Sequence, residues 1–523
     1  MGKVQILSLP ITIPGVLAAA ASAFPDKTAV EGEDGVSLTF AELLLACRRA
    51  ARGFLGYGLK PGERIALWAP NSTAWMAATI GAQMVRGALV PLNTRLRGRE
   101  AAYILNRGGA RLLFTVRDFL GTDYTKLLAD EKLETIERTV ILDGPAGAED
   151  SWESFLRLGD GVEDAAVDAV LAGLTGDDIS DILFTSGTTG RPKGAPSAHG
   201  QTVVTSRAWV SAVGLAKSDR YLIVNPFFHS FGYKSGWLAC LIAGATILPH
   251  AVFDAEAVLR RIARDRITVL TGAPTIYQSI LMSAARATTD LSSLRLAVTG
   301  ASVVPRQLIE RMHGELGFDT VLTGYGLTET SGTVSVCAAD DSIERVSMTS
   351  GRPIPGVELR SVDPDGADVA PGMPGEILVR GFNVIKGYLD DPKATAEAID
   401  PDGWFRTGDI GIIDSEGYIR ITDRAKDMFI VGGFNCYPAE IEETLLEHPA
   451  IAQAAVIGIP DERMGEVAKA FVILRQGAAL TEAELIAWSR KMMANYKAPR
   501  VVEFVDALPT TASGKVQRFQ LRG

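Results

Sequence analysis

"ILFTSGTTGRPKG" spans residues 182–194: an apolar strand runs into a loop of Gly187, Gly190 and Gly194, threaded with Thr185, Ser186, Thr188 and Thr189 and carrying Lys193. Glycines let backbone N–H groups converge on phosphate oxygens, hydroxyls add donors, and the lysine adds charge. Gly/Ser/Thr clusters are ordinarily plain loops, but the preceding strand and the internal lysine point to phosphate binding. The stretch is not a Walker A loop, which needs Lys then Ser/Thr directly after its second glycine; here Gly190 is followed by Arg-Pro-Lys-Gly. Just beyond it stand Ala195 and Pro196. Proline removes a backbone donor from what should be a strand, so a weakened ladder contact or a local bend is expected there.

Working outward, short apolar runs such as "RIALWAP", "ARLLFTV", "YLIVNPF" and "LRLAVTGA" alternate with amphipathic stretches such as "DAEAVLRRIARDR" through residues 20–340. This rhythm predicts an α/β fold with mixed, largely parallel sheets. From about 350 to 423 short strands punctuated by Gly and Pro predict a small β-rich subdomain. The last hundred residues read as a compact α+β module, with a Thr481/Glu484 capping-box pattern opening "TEAELIAWSRKMM". The polar stretch "TDRAKD" (422–427) divides the chain into a large N-terminal domain, 1–423, and a small C-terminal one, 424–523.

Composition narrows the class. The chain has 523 residues, 47% hydrophobic and 22% charged, with a net charge of −10, so nothing electrostatic favours nucleic acid or an anionic membrane. Cys47, Cys240, Cys337 and Cys436 are far apart and form no CxxC pair, which argues against a disulfide framework or a zinc site and fits a reducing compartment. The N-terminal 24 residues faintly resemble a signal peptide, but Pro10 and Pro14 interrupt them. The apolar run "WLACLIAGATILPHAVF" is broken by Pro249 and too short to span a bilayer. A cytoplasmic protein without an integral membrane segment is expected; a homodimer is compatible with the sequence, which does not fix the oligomeric state.

At the phosphate loop the sequence resembles the adenylate-forming superfamily, which comprises acyl-CoA synthetases, peptide-synthetase adenylation domains and luciferases. The resemblance covers essentially the whole chain. Its motifs follow in order: "FTSGTTGRPKG", "TGAS" (299–302), "GYGLTET" (324–330), "GWFRTGD" (403–409), "ITDRAKDMFIVGGFNCYPAEIE" (421–442) and "TASGKVQR" (511–518). It implies activation of a carboxylate by attack on the α-phosphate of ATP, giving an acyl-adenylate and pyrophosphate, then a thioester with CoA. Charge builds on the phosphate oxygens, so a cationic, N–H-rich site is the main need.

By resemblance the loop from Thr185 to Lys193 holds the β- and γ-phosphates. Glu329 is the Mg²⁺ ligand, a hard donor for a hard cation, and Thr328 touches the α-phosphate. Gly300, Ala301 and Ser302, with Gly324, Tyr325 and Gly326, line the adenine slot. Asp409 pairs with the ribose hydroxyls, Arg424 nearby. Taken alone, Glu329 reads equally as a surface acid and Asp409 as a turn residue. Lys515, which near a terminus would ordinarily be solvated, resembles the lysine that swings over the substrate carboxylate and α-phosphate. The C-terminal domain would then be a mobile lid pivoting at Lys426, with Gly432, Gly433 and Phe434 lining the pantetheine tunnel in the second step.

"NPFFHSFGYKSGW" (225–237) resembles the border of the acyl pocket, represented by Phe231, Gly232, Tyr233, Lys234 and Trp237. His229 either gates access or contacts the adenylate, the alternative being a histidine packed in an aromatic cluster. The segment holds no Asp or Glu, which speaks against α-amino acids. No insertion follows the pivot, which favours CoA over another acceptor. Tyr233, Lys234 and Trp237 suggest a bulky acid with a keto or hydroxyl handle, against a simply solvated Lys234. The region looks closest to actinobacterial ligases that activate the propionate side chain of the steroid C/D-ring remnant. Medium- or long-chain fatty acids, aryl acids and a non-CoA acceptor remain as alternatives. A sensor that had lost catalysis would lack Glu329, Asp409 or Lys515, and all three are present.

Overall fold

Strand Arg64–Trp68 is buried over its last four residues and pairs in parallel with Ala88–Pro91 on one side and Ala110–Thr115 on the other. Uninterrupted apolar runs of this kind belong inside a parallel sheet covered on both faces. The computed structural model describes residues 10–521 apart from 34, 146, 186–190, 301–303, 305, 364, 425–428, 476 and 510–517; at 422–424, 435, 439, 443, 519 and 520 it describes the backbone alone. Helix Thr73–Met84 is buried almost all round. Small residues allow that approach: a Cβ on Gly81 would lie 2.5 Å from the Ala50 methyl on helix Phe40–Tyr57.

The six-stranded sheet containing these strands ends in Ile179–Thr185 and Lys193–Ala198, paired antiparallel. Residues 186–190 are thus flanked by two strands, whereas a Walker A loop joins a strand to a helix. Pro196 stands on the edge strand opposite Ile182, and the pairing runs unbroken from there to Thr185. An edge strand tolerates a missing N–H; the register shifts only just beyond Pro196, between Ile179 and Asp181 opposite Ala198 and Ser197.

A nine-stranded sheet has a parallel core of Arg220–Ile223, Thr246–Pro249, Val269–Thr271, Leu296–Gly300 and Thr320–Tyr325, with antiparallel strands at its ends. Helix Ile13–Ala23, capped by Thr12, buries Ile13 and Leu17 in the core shared by these sheets. The β-rich subdomain is a four-stranded antiparallel sheet of Val357–Val362, Pro374–Gly381, Phe405–Ile413 and Ile419–Arg424. Its first strand begins later than about 350, because Arg352–Pro353 joins the nine-stranded sheet instead.

The C-terminal module has its own core, from Phe429 to Val502, sharing no residue with the large core that ends at Ile419. It opens with the hairpin Phe429–Val431/Phe434–Cys436. Gly432 and Gly433 turn it at φ 56° and 85°, the left-handed pair that a two-residue hairpin turn requires. Helix Glu482–Met492 starts at the Thr481/Glu484 capping box. Among the described residues no helix is long and apolar enough to cross a membrane.

Candidate active site

The phosphate-loop hairpin delivers Thr185 to the Thr328–Thr330 turn: its hydroxyl donates to Glu329 Oε1 at 3.2 Å. Tyr388 donates to the same oxygen at 3.0 Å, and Lys193 Nζ lies 5.2 Å from the centre of the Tyr388 ring. Burial, with the Glu329 charge next, pushes the Tyr388 phenol well above its usual pKa, so it stays a donor. The backbone closes the same ring, with Ile385 N–H donating to the Glu329 carbonyl and Leu389 N–H to that of Gly194. One carboxylate flanked by hydroxyls suits Mg²⁺, which takes one or two carboxylates and completes its shell with water and substrate phosphates. Among the described residues there is no cluster of three or more His, Cys, Asp or Glu able to hold a metal by themselves.

Next to this ring, Gly300 and Gly324 face each other on neighbouring strands. A Cβ on Gly300 would sit 2.6 Å from the Gly324 carbonyl oxygen, so any side chain would fill the slot between the strand ends. These are carboxyl ends of parallel strands, where open α/β sheets bind ligands. Tyr325 donates to Asp409 Oδ2 at 2.5 Å, and Asp409, fully buried, is in register with Arg424 across the adjoining strands. The carboxyl end of strand Thr320–Tyr325 and the β-rich subdomain thereby meet at Tyr325 and Asp409. Gly326 is exposed and Thr328 half-buried at the same mouth. Ser186, Gly187, Thr188, Thr189, Gly190, Ala301, Ser302, Lys426 and Lys515 lie outside the described residues, as does the side chain of Arg424.

The acyl segment divides in two. His229 is exposed yet closely surrounded by protein, and that desolvation lowers its pKa. Its Nδ1 accepts the Phe231 N–H at 3.2 Å, leaving the proton of the neutral ring on Nε2. Phe231 is half-buried. A Cβ on Gly232 would collide with the Pro226 carbonyl, which holds the turn tight. Tyr233, Lys234 and Trp237, in contrast, are turned into the core. Tyr233 and Trp237 stack with centroids 4.7 Å apart. Lys234, 1% exposed, pairs with Asp181 at 3.0 Å. It is not solvated, because a strand acid claims it.

The hairpin of the C-terminal module meets the large domain. A Cβ on Gly433 would lie 3.4 Å from the Ala273 methyl, and the Arg95 guanidinium sits 4.4 Å over the Phe434 ring. Phe434 stacks on Tyr496, whose hydroxyl accepts from Asn93 at 3.2 Å. Beside them, Lys497 bridges Glu100 of the large domain (2.9 Å) and Glu440 of the C-terminal module (2.6 Å). Burial opposes the Lys497 charge, but the two carboxylates outweigh it and raise its pKa well above the usual lysine value. Arg99 and Glu447 add an exposed pair across the seam.

Sequence reading missed Tyr388, Asp181, Arg95, Glu100 and Lys497. Only Asp181 and Lys234 carried a signal: two opposite charges, each alone in an apolar segment.

Comparison with known proteins agrees with this geometry. A family model described as AMP-binding enzyme matches residues 17–389, and one described as AMP-binding enzyme C-terminal domain matches residues 440–515. The chain is 49% identical to a 3-[(3aS,4S,7aS)-7a-methyl-1,5-dioxo-octahydro-1H-inden-4-yl]propanoyl:CoA ligase of Mycobacterium tuberculosis, over 98% of each chain. It is 48% identical to the ligase of the same name from Rhodococcus jostii, again over 98% of each. The o-succinylbenzoate CoA synthetase of Bacillus subtilis, bound with a product analogue, superimposes with a TM-score of 0.81 at 30% identity, covering 97% of this chain and 98% of that one. ATP-bound MatB of Rhodopseudomonas palustris gives 0.69 at 31% identity, covering 98% of each. Both family models fall on the two cores in chain order, and the chain belongs to the AMP-binding enzyme family.

Proposed function

We propose that the protein is an ATP-dependent carboxylic acid:CoA ligase that activates a hydrindane propionate, a two-ring keto acid carrying a propionate arm. The observation that carries this reading is 49% identity along 98% of the chain to a ligase of that name. The acyl wall is compatible with it. His229 and Phe231 present a neutral, partly apolar surface, and the one lysine of segment 225–237 is neutralised by Asp181. A keto group would find its donor in His229 Nε2–H rather than in Lys234.

In the first step the acid's carboxylate attacks the α-phosphate and pyrophosphate leaves. Thr185 and Lys193 would face the departing phosphates, Thr328 the α-phosphate, and Glu329, oriented by Thr185 and Tyr388, would hold Mg²⁺. The metal would supply charge neutralisation for the phosphates. Gly300, Gly324 and Gly326 leave room for a flat base, and Asp409 would take the ribose hydroxyls beside Tyr325. Lys515 would bring its cation to the carboxylate and α-phosphate in this step alone.

We assign residues 1–423 and 424–523 to the two domains, hinged at Lys426, and read the observed arrangement as that of thioester formation. The Gly432–Gly433 turn and Phe434, expected to line the thiol channel, are among the elements that face the large domain. The likeness to a product-analogue complex exceeds that to an ATP complex at nearly equal identity and coverage, as a different lid position would give. Four buried, unpaired cysteines fit a reducing, cytoplasmic setting.

The test is acyl-CoA formation with ATP, Mg²⁺, CoA and a panel of hydrindane propionates, medium- and long-chain fatty acids and aryl acids. A kcat/KM for the hydrindane acids at least tenfold above the others is expected. A preference for plain fatty or aryl acids would overturn the substrate while leaving the ligase.

A further inference from the structure

The Lys234–Asp181 pair has no part in the chemistry above, yet it joins the two segments that must meet for that chemistry. Lys234 and Asp181 are 1% and 0% exposed, and Nζ lies 3.0 Å from Oδ1. Nζ also donates to Ser197 Oγ at 2.8 Å. Asp181 Oδ2 accepts from Ser180 Oγ at 2.6 Å and from Thr202 Oγ1 at 3.4 Å. Gln83 closes the cluster, donating to the Ser180 carbonyl and to the Tyr233 hydroxyl, both at 3.0 Å.

Each anchor has a functional end. Asp181 and Ser180 lie on strand Ile179–Thr185, and Ser197 lies on the returning strand Lys193–Ala198. Both arms of the phosphate-loop hairpin are therefore held. From Asp181 it is four residues, about 13 Å of extended chain, to Thr185 and its bond to Glu329. Lys234 belongs to the π-helical turn Tyr233–Trp237, which directly follows His229, Phe231 and Gly232. Wide turns of this kind recur at functional sites.

A buried ion pair is a weak way to gain stability, since apolar residues of equal volume commonly do as well; its better-attested use is to fix register. We propose that the Lys234–Asp181 pair fixes the acyl-pocket wall against the phosphate-loop hairpin, making both residues positioning residues for adenylation. Neither would touch substrate. Together they would set the distance between the acid's carboxylate, placed by the wall, and the α-phosphate, placed by the hairpin and the Glu329 turn. This inference rests on the ligase reading.

The test measures acid-dependent ATP–pyrophosphate exchange and thermal unfolding for Lys234→Met, Asp181→Asn and the double variant. The single variants strand a buried charge and are expected to melt early. The double variant removes both charges, keeps an acceptor for Ser180 and Thr202, and is expected to melt near the parent. Its exchange kcat should still fall about 100-fold, the usual cost of an ångström of misplacement, while the KM for ATP stays within about threefold. A parent-like kcat in the folded double variant would overturn the proposal, as would a loss confined to KM. If the charge variants fail to fold, Ser197→Ala, which removes one hydroxyl contact to Nζ, should lower kcat several-fold at unchanged ATP KM; an unchanged kcat would sink the idea. Absence of exchange in the parent with every acid would instead overturn the ligase reading.

Discussion

Replacing Lys497 by methionine should separate the two half-reactions. Its ammonium is 4% exposed and sits 2.6 Å from Glu440 and 2.9 Å from Glu100. At an effective dielectric constant of about 20, a unit pair at that spacing is worth roughly 6 kcal/mol before desolvation. Removing one partner from a buried pair costs about 3–5 kcal/mol. In the proposed rotation Glu440 travels with the C-terminal module, so its bond to Lys497 survives, whereas the Glu100 bond exists only with that module docked as observed. Assigning about 3 kcal/mol of the loss to that docked state lowers the docked-to-undocked ratio roughly 100-fold. Lys497→Met should therefore form pyrophosphate in a single turnover at a rate within about threefold of the parent. Its adenylate should then accumulate, with acyl-CoA appearing more slowly by up to about 100-fold. Quenched-flow measurement of pyrophosphate and acyl-CoA in one experiment reads both. Equal slowing of the two steps, or no slowing of the second, would refute this role for Lys497. Lys515→Ala should show the opposite split, with slow pyrophosphate release and a thioester step from preformed adenylate that is largely spared.

Further outcomes follow from single contacts. Tyr388→Phe removes one of the two hydroxyls that orient Glu329 Oε1; exchange kcat should drop about tenfold and the Mg²⁺ concentration for half-maximal rate should rise, at unchanged KM for the acid. Gly300→Ala places a methyl against the Gly324 carbonyl and should raise the KM for ATP at least tenfold with little change in the KM for CoA, read by steady-state kinetics. His199 is buried with Nδ1 accepting the Ile13 N–H, and burial lowers its pKa from 6.5 to about 4. Between those values the unfolded chain binds a proton that the folded one refuses, so stability falls as pH drops through that window, by roughly 3 kcal/mol in all. Denaturant titrations from pH 7 to 4 should show that loss in the parent and a shallower one in His199→Gln.

Much of the site was legible because adenylate chemistry imposes local signatures. A strand feeding a Gly/Ser/Thr loop with a lysine, glycines at facing strand ends, and a Gly-Gly hairpin turn are each dictated within a few residues. The hydrophobic rhythm likewise gave the parallel sheets, since strands buried on both faces read as apolar runs. What could not be read were partnerships between distant segments. Tyr388 stands 59 residues from Glu329, and Lys497 stands 397 from Glu100; no spacing rule links them. Pro196 looked like a defect because a sequence does not say which strand is at an edge. Lys234 looked like a pocket residue because the segment 225–237 resembles the border of the acyl pocket. Its wide helical turn buries the ammonium against Asp181 instead.

The transfer of oxygen from acid to nucleotide tests the chemistry most directly. A hydrindane propionic acid labelled with ¹⁸O in both carboxylate positions would be turned over with ATP, Mg²⁺ and CoA, and the nucleotide product analysed by mass spectrometry. Attack of the carboxylate on the α-phosphate, followed by thiol displacement, must leave one labelled oxygen in each AMP. Label in inorganic phosphate with ADP as the nucleotide product, or AMP free of label, would contradict an acyl-adenylate.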